Sequence, residues 1–197
     1  MKTKSKTDVM LDIETLARSA NSIVLTIGAV RFDRHKKTVD DRGIHLYLSI
    51  DEQRTQGRET DPDTVAWWDK QNPDIRDDVM RSWNRKPVKQ ALLEFNDYLA
   101  GANRVWSQGP LFDIKILENL YEQHGVSKPW RFYMIRDSRT LFDALGDTRR
   151  RNTANLHNAL DDSIDQALAV QRAFRRLNSP WWILKKWLTG LIARAKS

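Results

Sequence analysis

The chain has 197 residues, 40% apolar and 30% charged, a composition that suits one compact, soluble domain with a full core. It has no cysteine, which excludes structural disulfides, thiolate metal sites and cysteine nucleophiles, and no run of about 18 apolar residues that would cross a membrane. The formal charge is +7, yet seven of the 33 basic residues and none of the 26 acidic ones lie from Arg172 onward, so the excess belongs to the carboxyl-terminal end and the rest of the chain balances.

The first predicted element is a buried strand over residues 8–14, DVMLDIE, interrupted by Asp12 and Glu14. The basic stretch before it, MKTKSKT, lacks the apolar segment and small-residue cleavage site of a secretory leader, so a cytoplasmic location is expected. A longer strand follows over 21–33, opened by an Asn21–Ser22 turn. A third, over 43–50, alternates Ile44, Leu46 and Leu48 with His45, Tyr47 and Ser49. The period then changes. Segments 62–71, 73–83 and 87–100 each open with a proline and continue at helical spacing. Residues 104–107 make a short strand, 110–125 a helix stopped by Gly125, 131–137 another strand and 138–145 a short helix. Residues 157–177 form a long amphipathic helix with Ala159, Leu160, Ile164, Ala167, Leu168 and Val170 as its apolar stripe.

The last segment reads as a basic amphipathic helix in a tail over 179–197. Trp181, Leu184, Trp187, Leu188, Leu191 and Ile192 share one side, and Lys185, Lys186 and Thr189 the other. Packing on the domain, gripping nucleic acid, and docking on a membrane or a protein partner are all open to it. The preceding residues 1–178 are expected to form one α/β domain: a three-stranded antiparallel meander, then two strands parallel to the first. That order resembles the ribonuclease H-like fold, which implies a mixed five-stranded sheet flanked by helices.

Residues two apart on a strand point the same way, so Asp12 and Glu14 form a carboxylate pair. Paired carboxylates repel unless a cation separates them, and oxygen ligands suit Mg²⁺ or Mn²⁺; solvent exposure at a strand end is the alternative. Further acids follow. Asp113, after Phe112, stands in the first turn of a helix at a strand's carboxyl end, where it either joins a site or complements the helix dipole. In HNALDDSIDQAL, His157 precedes Asp162 by five residues, while Asp161 and Asp165 fit the outer face. Of the adjacent tryptophans, Trp67 and Trp68, one can be core while the other lines a groove.

Taken together, LDIET with Asp12 and Glu14, GPLFDIKIL with Asp113, and HNALDDS with His157 and Asp162 resemble the DEDD-type 3′→5′ exonucleases, in their histidine-bearing branch. Within it, IGAVRFD and TVAWWDKQNPDIRDDV look most like small exodeoxyribonuclease VIII-like and phage stand-alone enzymes. The resemblance covers roughly residues 8–175. It implies two divalent metal ions, Mg²⁺ or Mn²⁺, bridged by Asp12, with Glu14 and Asp162 completing one and Asp113 holding the other. It implies His157 as the general base, with a pKa suited to neutral pH. It implies the 3′ end of single-stranded DNA or a 3′ overhang as substrate, and nucleoside monophosphates as products. RNA is the rival substrate, and a non-catalytic nucleic-acid-binding module the rival function. Substrate contacts are expected at Leu16, Trp67, Trp68, Gln108, Phe112 and Arg139. Two qualifications hold: relatives often carry Asn where Gln108 stands, and Arg139 has Asp137 nearby as an ion-pair partner.

Overall fold

The computed structural model describes residues 8–81, 83–147, 149 and 157–179. Its centre is a mixed five-stranded sheet. Strands β1 (Asp8–Thr15), β2 (Val24–Phe32) and β3 (Ile44–Tyr47) form the antiparallel meander. Strands β4 (Arg104–Ser107) and β5 (Ile135–Asp137) extend it in parallel from β1, giving the order β3-β2-β1-β4-β5.

Alternation along β1 decides which layer each side chain enters. Val9, Leu11 and Ile13 pack in a core with α4 (Val88–Leu99) and α5 (Asp113–Gln123), through Ala91, Leu92, Phe95, Ile116, Leu117 and Leu120. Met10 points to the other face, into a core with Phe32, Trp106, Phe142, Ala167 and Val170. That face is covered by α6 (Ser138–Leu145) and α7 (Ala159–Leu177). Asp12 and Glu14 continue the Met10 series, so they emerge under the start of α7 rather than into the apolar layer.

Several boundaries differ from the sequence expectation, each for a local reason. The third strand ends at Tyr47 because Ser49 caps a helix that the sequence did not suggest, α1 (Ile50–Thr55), by accepting from the Glu52 N–H. From α1 the buried Gln53 side chain reaches back to β2, accepting from the Val24 N–H and donating to the Val24 carbonyl. The first two proline-led helices are α2 (Pro62–Trp68), capped by Asp61, and α3 (Pro73–Arg81). α5 starts at Asp113, not at Pro110, because Gly109 at φ +119° and a Phe112 N–H to Gly109 carbonyl bond make a turn there. Only three of residues 131–137 pair as strand. β4 offers Val105–Ser107 and nothing further, so Phe132–Met134 coil into a single 3₁₀ turn.

The buried face of α7 is the predicted stripe only in part, since Ala159, Ala167 and Val170 are buried. Leu160, Ile164 and Leu168 are half-buried, whereas Ser163, Gln166 and Gln171 are buried beside Ala167 and Val170. The helix can turn small and amide side chains to the sheet because it lies so close to it. No described helix is long and apolar enough to cross a membrane. The tail helix expected within 179–197, with its candidate roles, lies outside the described residues from Pro180 onward.

Candidate active site

Three chain segments meet at the carboxyl ends of β1 and β4. β1 brings Asp12, half-buried, and Glu14, buried. The turn after β4 brings Asp113, buried, as the first residue of α5. The start of α7 brings Asp162 one turn into the helix, with His157 just outside it. Asn158 caps α7 by accepting from the N–H groups of Leu160 and Asp161. His157 therefore precedes the cap, at φ +73° in the left-handed region, and its backbone N–H donates to Asp162 Oδ2 at 2.9 Å. That bond fixes the His157 backbone to the carboxylate five residues later.

Burial and mutual repulsion of the carboxylates dominate the electrostatics of the site. Burial, then the charges of Asp113 and Asp162, raise the Asp12 carboxyl well above its usual range. Glu14 is raised by burial and by Asp12, Asp162 and Asp113. Asp113 is pushed up to about 7 by burial, against backbone N–H groups and the Arg139 guanidinium, which favour its anion. Donor atoms of Glu14, His157 and Asp162 lie within 4.8 Å of one another. A cluster of oxygen donors that cannot all ionise by themselves, open on one side, fits a hard divalent cation.

One residue in this cluster had no signal in the sequence reading. Gln166, one helical turn beyond Asp162, donates from Nε2 to Asp12 Oδ1 at 2.9 Å. A glutamine on the sheet-facing side of an amphipathic helix was the available clue, obscured because the apolar stripe was placed on a neighbouring face.

Beside Glu14 opens a pocket of about 400 Å³, lined among others by Thr15, Arg18, Trp67, Trp68 and Phe112. The two tryptophans divide as anticipated: Trp68 is buried, its indole N–H donating to the Thr15 carbonyl at 3.0 Å, while Trp67 is 40% exposed. Leu16 is placed elsewhere. It is buried against Ile23, Leu25, Trp68 and Val79, because the chain turns inward after the bulge at Glu14/Thr15. Arg18, which the sequence reading passed over, stands at the pocket instead. Gln108 is half-buried, its Oε1 without a partner among the described residues and its carbonyl accepting from Arg139 at 3.0 Å. Arg139 does not pair with Asp137 through its guanidinium; the Asp137 carboxylate caps α6 by accepting from the Arg139 backbone N–H.

Residues 7–174 match the family of the 3′–5′ exoribonuclease Rv2179c-like domain. The chain is 25% identical over 203 residues to the exodeoxyribonuclease of Enterobacteria phage T4, covering 85% of this chain and 89% of the relative. Among solved structures it is similar to the zinc-bound E. coli ExoI–ssDNA complex, with TM-score 0.60 and 13% identity over 96% of this chain; it spans only 45% of that ExoI chain. It is also similar to the nuclease domain of 3′hExo, a DEDDh family member bound to rAMP, with TM-score 0.56 and 15% identity over 89% of this chain and 94% of that one. At such identities the two structures speak for the shared ribonuclease H-like fold. The family match spans the whole described sheet and every residue of the carboxylate–histidine cluster, and the chain belongs to the 3′–5′ exoribonuclease Rv2179c-like domain family as a 3′–5′ exonuclease.

Proposed function

We propose that the chain removes nucleotides one at a time from the 3′ end of single-stranded DNA or of a 3′ overhang, with two divalent cations, Mg²⁺ or Mn²⁺, held by Asp12, Glu14, Asp113 and Asp162. The observation that carries this reading is the clustering of donor atoms of Glu14, His157 and Asp162 within 4.8 Å of one another, with Asp12 and Asp113 close enough to raise the Glu14 carboxyl and Glu14 lining an aromatic-walled pocket. When bound, the cations supply the charge that makes water nucleophilic near neutral pH and that offsets charge on the departing 3′ oxygen.

The chain's own residues do the rest. His157 accepts the proton of the attacking water, and its backbone bond to Asp162 keeps it beside the carboxylates. Gln166 orients Asp12 through its bond to Oδ1, and the Asp12 carboxylate so held would be one of the groups that hold a cation. Trp67 and Phe112 offer the terminal base a surface for stacking. Arg139, held over the turn at Gly109, and Gln108 stand on the β4 side of the site, placed to meet the strand's backbone. Leu16 acts through the buried Trp68 against which it packs.

Deoxyribose is favoured by the likeness to the phage exodeoxyribonuclease. The family's description favours ribose, so the same site working on RNA is the second reading. The deciding experiment is degradation of matched 5′-labelled DNA and RNA single strands in Mg²⁺, in Mn²⁺ and in chelator, with Asp12→Ala as control. A metal-dependent ladder shortening from the 3′ end, absent in the control, is expected, with DNA cut faster. Faster cutting of RNA would transfer the activity to ribose, and binding without cleavage of either strand would remove the enzymatic reading.

A further inference from the structure

His157, Trp67 and Trp68 form a closed triangle of rings. The Trp67 and His157 centroids are 4.6 Å apart at 82°, those of Trp68 and His157 6.3 Å apart at 79°, and those of Trp67 and Trp68 5.2 Å apart at 77°. Every pair is edge-to-face, the arrangement in which a ring's positive edge meets a negative face. The corners differ in freedom. Trp68 is 1% exposed and anchored by its indole N–H to Thr15, next to Glu14. Trp67 is 40% exposed and forms a wall of the pocket. His157 is fixed at its backbone by Asp162, and its ring packs edge-to-face on both tryptophans. α2, a different segment of the chain, therefore contributes to the placement of the imidazole beside Glu14 and Asp162.

We propose that Trp67 is a positioning residue for His157: its indole holds the imidazole at the carboxylates, so that filling of the pocket by the 3′-terminal base and placement of the proton acceptor are one event. This rests on the exonuclease reading of the site and deepens it. A base stacked on Trp67 restrains the indole, and the restrained indole restrains the imidazole packed against it. An empty pocket leaves both rings freer, which favours chemistry on correctly seated ends over stray hydrolysis.

The test is a double-mutant cycle with kcat and KM read separately on 5′-labelled single strands. Trp67→Ala is expected to lower kcat about 10-fold or more, a part of the roughly 10²–10⁴ that a positioned proton acceptor contributes. In a His157→Ala background the same change should lower kcat less than about 2-fold, because the group it positions is gone. The KM effect, which reports stacking, should be equal in both backgrounds, and Trp67→Phe should recover most of kcat. Equal kcat losses in both backgrounds, or a change in KM alone, would overturn the proposal and leave Trp67 as a stacking surface. A second readout needs no turnover: the His157 ring resonance in the metal-free protein, one of four histidines and assignable by its loss in His157→Ala. It should move in Trp67→Ala and stay in Trp67→Phe; an unmoved resonance in Trp67→Ala overturns the proposal. A protein that cuts neither DNA nor RNA yet shows the shift would retain the ring contact, and the proposal would fall with the exonuclease reading.

Discussion

Gly28 of β2 and Ala159 of α7 touch backbone to backbone. A Cβ placed on Gly28 would sit 2.1 Å from the Ala159 carbonyl carbon and 2.3 Å from its oxygen. Gly28 pairs with Asp12 across the β1–β2 ladder. The missing side chain thus lets the start of α7 settle directly over the strand that carries the first carboxylate. His157, Asn158, Asp162 and Gln166 all ride on that start.

Gly28→Ala is consequently expected to act on both stability and activity. The clash is with main chain, so α7 must lift, at a cost of about 1–3 kcal/mol, typical of overpacking. Thermal unfolding should show the lower midpoint, and turnover should fall by about 10-fold or more, as misplacement of reacting groups by about 1 Å costs still more. Full activity at a lowered midpoint would mean that α7 tilts without moving its first turn.

Gln166 gives a prediction confined to Asp12. Gln166→Ala removes the hydrogen bond to Asp12 Oδ1 and should weaken Mg²⁺ binding or activity about 10–100-fold, the usual cost of losing a group that orients a ligand. Calorimetric Mg²⁺ titration beside the cleavage assay checks it. Unaltered affinity and rate would show that the carboxylate needs no such support.

His157→Ala should lower kcat about 10²–10⁴-fold, the range for general bases, while Mg²⁺ affinity changes little. A parallel loss of Mg²⁺ affinity in the same titration would make the imidazole a ligand, a role its closeness to Glu14 and Asp162 also permits.

The raised carboxyls give stability a definite slope with pH when no cation is bound. Asp12 and Glu14 are raised and Asp113 stands at about 7, whereas unfolded carboxyls titrate near 4. Between the unfolded and the raised folded values the folded state binds more protons than the unfolded one, so this contribution is fully present below about pH 4 and is lost as pH rises through the folded values, about 7 for Asp113. In chelator, Asp12→Asn should therefore melt higher than the parent at pH 8, by a few degrees for each ~1 kcal/mol of repulsion relieved, and near it at pH 4.5. Mg²⁺ should stabilise the parent more at pH 8 than at pH 5.5. The reverse order in either comparison would show that the carboxylates are already compensated within the protein.

The sequence by itself determined the order of strands and helices apart from α1, because apolar alternation in β1–β3 and helical spacing from Pro62 onward are local patterns that set local structure. Asp12 and Glu14 stand out in it as carboxylates inside a buried segment, whereas Asp113, His157 and Asp162 are singled out by the resemblance to the DEDD-type exonucleases. What it could not carry were relationships between distant segments. Gln166 reads as one more polar helix residue until α7 is laid against β1, 154 positions away in the chain. Gly28 reads as a weak spot in a strand until Ala159 is pressed against it. Leu16 reads as a pocket residue until the bulge at Glu14/Thr15 turns it into the core and leaves Arg18 at the pocket. The meeting of Trp67 with His157 joins α2 to the start of α7 and has no trace in either segment alone. Periodicity is a property of neighbours along the chain, whereas a site is made of neighbours in space, and only packing of the helices on the sheet decides which those are.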